Sequence, residues 1–211
     1  MSGVFIGQPT SVSEEGLPVL PPTLPPLSGV PGSSVTGVIP GGGSGGAAVP
    51  IATPSAGCAV SVAVAFGEAL SSDPTIQAVL GCPRDAGTSL TLVGQRFQQG
   101  QMLWRDTRQI VALAQNRQYW RVADTWNEGL PAEDPALTPP EGLLQPVRGF
   151  GFVWRADPTF QAVLGWATAP ELPFSSTWQE FEGGSLLLGL DGLVYAVPVA
   201  SSGQYLGGVA P

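Results

Sequence analysis

The sequence predicts a mainly β fold with short helices, in which two repeated helix-plus-β-hairpin units share one core and follow an extended Pro/Gly-rich arm. Three observations carry this reading. The nonapeptide "DPTIQAVLG" at 73–81 returns as "DPTFQAVLG" at 157–165. The stretches after each copy alternate in polarity and break at turn residues, as short strands do. Residues 16–46 hold Pro, Gly and Ser with single scattered aliphatics, a composition of extended chain that builds no core.

Taken in order, residues 1–57 form the arm, with "GVFIG" (Val4, Phe5, Ile6) as its apolar anchor and "GGGSGG" (41–46) as spacer. A phosphate loop is excluded there, because no strand precedes the glycines and no Lys-Ser/Thr follows them. Residues 58–211 form the folded domain. "CAVSVAVAF" (58–66) alternates strictly and reads as a strand entering it. Repeat one spans 66–113, a connector spans 114–149, and repeat two spans 150–197. A shift of 84 positions aligns the two copies without a gap, and about fifteen of the 48 positions match, including Gln95 with Gln179, Phe97 with Phe181 and Gly100 with Gly184.

In each nonapeptide Asp is a natural N-cap, Pro sits at the first helical position, and Gly can take the left-handed cap. Each reads as a two-turn helix whose stripe Ile76/Val79/Leu80 or Phe160/Val163/Leu164 faces inward. Gln77 and Gln161 then face outward or bond to a neighbouring loop. Residues 93–122 read as a meander, and Asp191-Gly192 between two apolar runs reads as a hairpin. One unit is too small to bury its own face, so the two units and the connector share a core.

Net charge is −8, the wrong sign for a nucleic-acid partner. The chain has no His, and all eight of its basic residues are Arg. That inventory removes His-based acid/base catalysis and Lys Schiff bases. No catalytic residue, metal ligand set or cofactor is expected. The most apolar charge-free window, 46–66, is broken by Pro50, Pro54 and Gly57 and is not read as a membrane span. "MSGVFIGQPT" lacks the basic and apolar regions of a signal peptide. Cys58 and Cys82 are either linked, closing a loop of about 24 residues worth roughly 3 kcal/mol, or two buried thiols, and the link is the favoured reading.

Leu80-Gly81-Cys82-Pro83, followed by Phe97-Gln98-Gln99-Gly100 and Trp104, resembles the LGFP repeat of bacterial cell-wall-associated and secreted proteins. The second copy supplies Leu164-Gly165-Trp166-Ala167, then Glu171 and Phe181-Glu182-Gly183-Gly184, with Ala167 where the repeat usually has Pro. The copies also stand further apart than tandem copies would. The resemblance implies an extracytoplasmic, non-catalytic module associated with the cell envelope.

The six Trp (104, 120, 126, 154, 166, 178) read chiefly as core. If one face binds glycan, Trp126 with Asn127 and Glu128, and Trp178 with Gln179, are the candidates. The acidic run Asp124, Glu128, Glu133, Asp134, Glu141 matches no Ca²⁺ loop and reads as a solvated loop. The expected function is a non-enzymatic structural subunit or accessory of an extracellular assembly (filament, surface layer or virion), with the arm contacting other copies or other assembly proteins. The alternative is a module that binds cell-envelope polysaccharide on a flexible stalk. Either places the protein outside the cell or on its surface.

Overall fold

The computed structural model describes residues 57–211. The anchor Val4, Phe5 and Ile6, like the rest of the arm to residue 56, lies outside the described residues. The described chain is mainly β: nine antiparallel strands form one nearly closed sheet, accompanied by four short helices.

Helices α1 (Gly67–Ser72) and α2 (Pro74–Leu80) precede β1 (Thr88–Phe97), β2 (Gly100–Arg105), β3 (Gln109–Ala114) and β4 (Gln118–Ala123). Helices α3 (Arg148–Ala156) and α4 (Pro158–Leu164) precede β5 (Leu172–Phe181), β6 (Gly184–Leu188), β7 (Val194–Pro198), β8 (Ser202–Gln204) and β9 (Leu206–Val209). The sheet order is β8-β4-β3-β2-β1-β5-β6-β7-β9. The capped nonapeptides form as their residues dictate. Asp73 accepts the Thr75 N–H at 3.1 Å and Asp157 accepts the Thr159 N–H at 2.8 Å, and Gly81 and Gly165 follow with φ of 72° and 70°.

The two halves meet along β1 and β5, where Thr91 lies opposite Ser175, its own counterpart under the 84-residue shift. At the far seam Tyr119 lies opposite Gly203, again its own counterpart. The correspondence therefore runs past residue 197 and relates the halves by a pseudo-two-fold.

Each helix pair covers the other half's strands. Phe150, Trp154, Phe160 and Leu164 share a cluster with Phe97, Met102, Ile110 and Ala112. Phe66, Ala69, Ile76 and Leu80 share one with Phe181, Leu186, Val194 and Ala196. A third cluster, with Leu92, Leu103, Leu113, Tyr119, Trp178, Leu187 and Tyr195, fills the inside of the curved sheet. Main-chain bonds repeat the exchange: Gly183 N–H donates to Leu80 O (2.7 Å) and Gln99 N–H to Leu164 O (2.9 Å). Gly183 is required at that crossing, since a Cβ there would stand 2.4 Å from Val79 O.

Each helix supports the other copy's hairpin. Two expectations need correction. In the first copy the inward stripe is Ile76/Leu80 alone, since Val79 is 48% exposed, whereas in the second Val163 packs partly buried against the cluster with Phe160 and Leu164. Residues 58–63 form no strand, and a single 3-10 turn follows at Val64–Phe66. The alternation was misleading because the Gln179 amide takes the main-chain groups a strand would have used, accepting from Ala63 N–H (2.9 Å) and donating to Ser61 O (2.9 Å). Cys58 and Cys82 are disulfide-bonded, fastening this segment to the end of α2.

Candidate functional site

The connector between β4 and α3 folds over one flank of the sheet and forms an open cleft of about 390 Å³. Its wall is built around Asp124, just beyond β4. Trp104 Nε1 donates to Asp124 Oδ2 (2.9 Å), and the Trp126 N–H donates to Oδ1 (3.1 Å). Arg108 holds the same corner, donating to the Asp124 carbonyl from Nε and Nη2 (3.1 and 2.9 Å) and to the Trp126 carbonyl. Gly149 at the start of α3 lets that helix approach, since a Cβ would stand 2.7 Å from Asp124 Oδ1. Trp126 is half-buried, its indole N–H donating to Pro131 O (3.3 Å), so the ring is fixed while part of it stays open. Asn127 and Glu128 are exposed beside it.

Arg108 and Arg148 both line this cleft with φ of 58° and 46°, a region that non-Gly residues rarely enter and that costs about 1–3 kcal/mol. Such strain persists where the surroundings demand one orientation. Arg148 Nη1 lies 3.9 Å from Glu171 Oε2. Burial pushes the Glu171 carboxyl above the usual carboxylate range; Arg148 pulls it down and Asp124 adds to the rise. Its folded pKa thus exceeds the unfolded one, so its ionisation costs stability as pH rises through the folded value. Glu171→Gln is expected to raise Tm at neutral pH, with the gain closing below about pH 4; thermal scans across pH read it out directly.

Among the described residues, no group of three or more His, Cys, Asp or Glu comes together to hold a metal ion, and no helix is long and apolar enough to cross a membrane.

The structure gathers Trp126, Asn127 and Glu128 on the cleft and leaves Trp178 out of it. Trp178 is 3% exposed inside the sheet, with the Arg105 guanidinium 4.5 Å over its ring and its Nε1 donating to Glu180 at 2.7 Å. No face of it is open for stacking. Sequence reasoning missed Trp104, Arg108, Arg148 and Glu171 as site residues. A usable signal existed for the last two: the 84-residue shift places Arg148 opposite Val64 and Glu171 opposite Gly87, charges appearing where the other copy is small or apolar.

Fold and site together define a two-fold-repeated antiparallel β domain with an aromatic, charged cleft on one half only. No protein-family model, curated protein or solved structure matches the chain.

Proposed function

We propose that the chain is a non-enzymatic module that binds cell-envelope polysaccharide in the cleft of Trp104 and Trp126, with residues 1–57 as its stalk. One observation carries this reading: Trp126 is fixed with part of its ring open, between Arg108, Asn127 and Glu128. A flat apolar face flanked by donors and acceptors suits the C–H face and hydroxyls of a sugar. Both oxygens of Asp124 are already engaged by Trp104 and Trp126, which favours binding over a hydrolytic carboxylate pair. The Cys58–Cys82 disulfide and the resemblance to the LGFP repeat favour an extracytoplasmic setting. Trp126→Ala is expected to weaken retention on isolated cell walls about tenfold without unfolding the domain. Undiminished retention in a pull-down would reject the cleft as the site.

A structural role in an extracellular assembly is the second reading, favoured by the Pro, Gly and Ser composition of residues 16–46. Deleting residues 1–50 is then expected to abolish assembly while the domain stays folded, as read by native particle mass; normal assembly of the truncated chain would sink this role.

A further inference from the structure

The pseudo-two-fold brings out a difference between the halves that neither reading uses. In one half the buried Gln179 side chain makes three bonds: Oε1 accepts from Ala63 N–H, and Nε2 donates to Ser61 O and to Asp85 O (2.7 Å). Its counterpart Gln95 is 2% exposed and makes only the bond equivalent to the last, from Nε2 to Ala169 O at 3.1 Å. Gln95 Oε1 has no partner, and a buried acceptor left in that state costs about 1–3 kcal/mol.

The reason lies in the connector. The residues equivalent to Ser61-Val62-Ala63 are Gln145-Pro146-Val147, and they are held elsewhere. The Gln145 amide pairs with both main-chain groups of Asp134 (3.0 and 2.8 Å), and the Arg148 N–H donates to Ala132 O at 2.8 Å. Arg155 Nη1 donates to Pro146 O at 3.3 Å. A cleft of about 570 Å³ opens there, lined by Gln95, Asp134, Leu144, Val147, Arg148 and Glu171. Glu171 stands where the other half has Gly87, a position at which a Cβ would lie 2.9 Å from the Ala63 side chain; the carboxylate exists because no chain fills that space. Glu171 Oε1 is also buried without a partner. Two of the three residues that hold such atoms, among the described residues, therefore line one cleft.

We propose that this second cleft binds an extended cationic peptide segment of another protein, its main chain lying on Gln95 as 61–63 lies on Gln179, and its Lys or Arg pairing with Glu171. The recognition is that of main chain by a buried amide, with one charge giving selectivity. Residues 1–57 contain no Lys or Arg, so the arm does not supply the cation. The inference is independent of the glycan reading, although the two clefts share Arg148 and Glu171.

The test is an NMR titration of the full ¹⁵N-labelled chain with acetyl-Ser-Val-Ala-Lys-amide and acetyl-Ser-Val-Ala-Glu-amide at millimolar concentration. The Lys peptide is expected to shift the Gln95 side-chain amide and the Val147 and Arg148 main-chain amides saturably, leaving the Gln179 amide unmoved. Glu171→Gln, which retains the fold, is expected to weaken that binding about tenfold, and Trp126→Ala to leave it unchanged. An unmoved Gln95, equal binding of the two peptides, or an unaffected Glu171→Gln overturns the proposal, as does a parallel loss in Trp126→Ala, which would move the peptide into the glycan cleft.

Discussion

Residues 1–141 and 142–211, produced separately, are expected not to fold as monomers, and to regain the native β signal only on association with the other half or with a second copy. Each half carries strands whose outer face is covered by the other half's helices. Without the second half, Phe97, Met102 and Ile110 lose Trp154, Phe160 and Leu164, while Phe66, Ile76 and Leu80 lose Phe181, Leu186 and Val194. Truncating one buried Leu in such a cluster costs about 2–5 kcal/mol. Removing the partner of both clusters therefore exceeds the roughly 5–15 kcal/mol that holds a domain together. The cut falls between exposed Glu141 and Gly142 in the connector, away from every strand. Circular dichroism and gel filtration of each half and of the mixture read the outcome. A monomeric, fully β first half would mean that the exchange of helices is not what stabilises the fold. Dimers of a single half are compatible with the exchange, because a second copy can supply the helices.

Arg121→Leu is expected to lower stability by about 1–3 kcal/mol, the cost of leaving its part-buried acceptors without their donor. Arg121 reaches from β4 to the opposite end of the sheet, where Nε donates to Pro198 O (3.0 Å) and Nη2 to Val197 O (2.8 Å) and Ser185 Oγ (3.0 Å). Ser185 in turn donates to Glu180, which also accepts from Trp178 Nε1 (2.7 Å) and Arg105 Nη1 (3.2 Å). Burial lowers the Arg121 pKa, and Glu180 and Tyr119 oppose the shift; guanidinium remains charged throughout. The Leu variant leaves two strand carbonyls and the Ser185 hydroxyl without the guanidinium donor, while Glu180 keeps Arg105, Trp178 and Ser185. Urea unfolding at neutral pH measures the loss. A change below about 1 kcal/mol, the scale of an exposed ion pair, would show that Arg121 does not hold the sheet nearly closed.

What could be read from the sequence was local. Asp73 and Asp157 and the prolines after them specify their helices without outside help, whereas the glycines at 81 and 165 take positive φ with ψ of −145° and −155°, outside the left-handed helical cap expected of them. A hairpin also forms around Asp191-Gly192, but its loop spans 189–193 instead of the two residues expected, and Gln101 from the other half bonds to Leu190 N–H and Asp191. The long-range choices were not written in periodicity. Whether Leu80 covers its own β2 or the distant β6 depends on the register at Thr91/Ser175, which no local pattern encodes. The alternation of 58–66 looked like a strand because Val62 and Phe66 are indeed buried, yet a glutamine more than a hundred residues away supplied the pairing. Trp178 and Trp126 are the same residue type on similar polar neighbours. Arg105 from β2, over the Trp178 ring, and the core cluster with Leu92, Leu103 and Leu187 that encloses it separate a core ring from a cleft ring.

The disulfide between Cys58 and Cys82 has a mechanical consequence. Tension transmitted through the polypeptide ahead of residue 58 passes across the sulfur bridge to Cys82, and from there toward β1, the strand beside the seam of the sheet. The residues between the two cysteines, which include α1 and α2, carry none of that load. A pull applied at residue 58 would otherwise peel Phe66, Ile76 and Leu80 off the partner strands one contact at a time. With the bridge in place the pull is delivered to paired strands, and the helices stay seated until those strands give way.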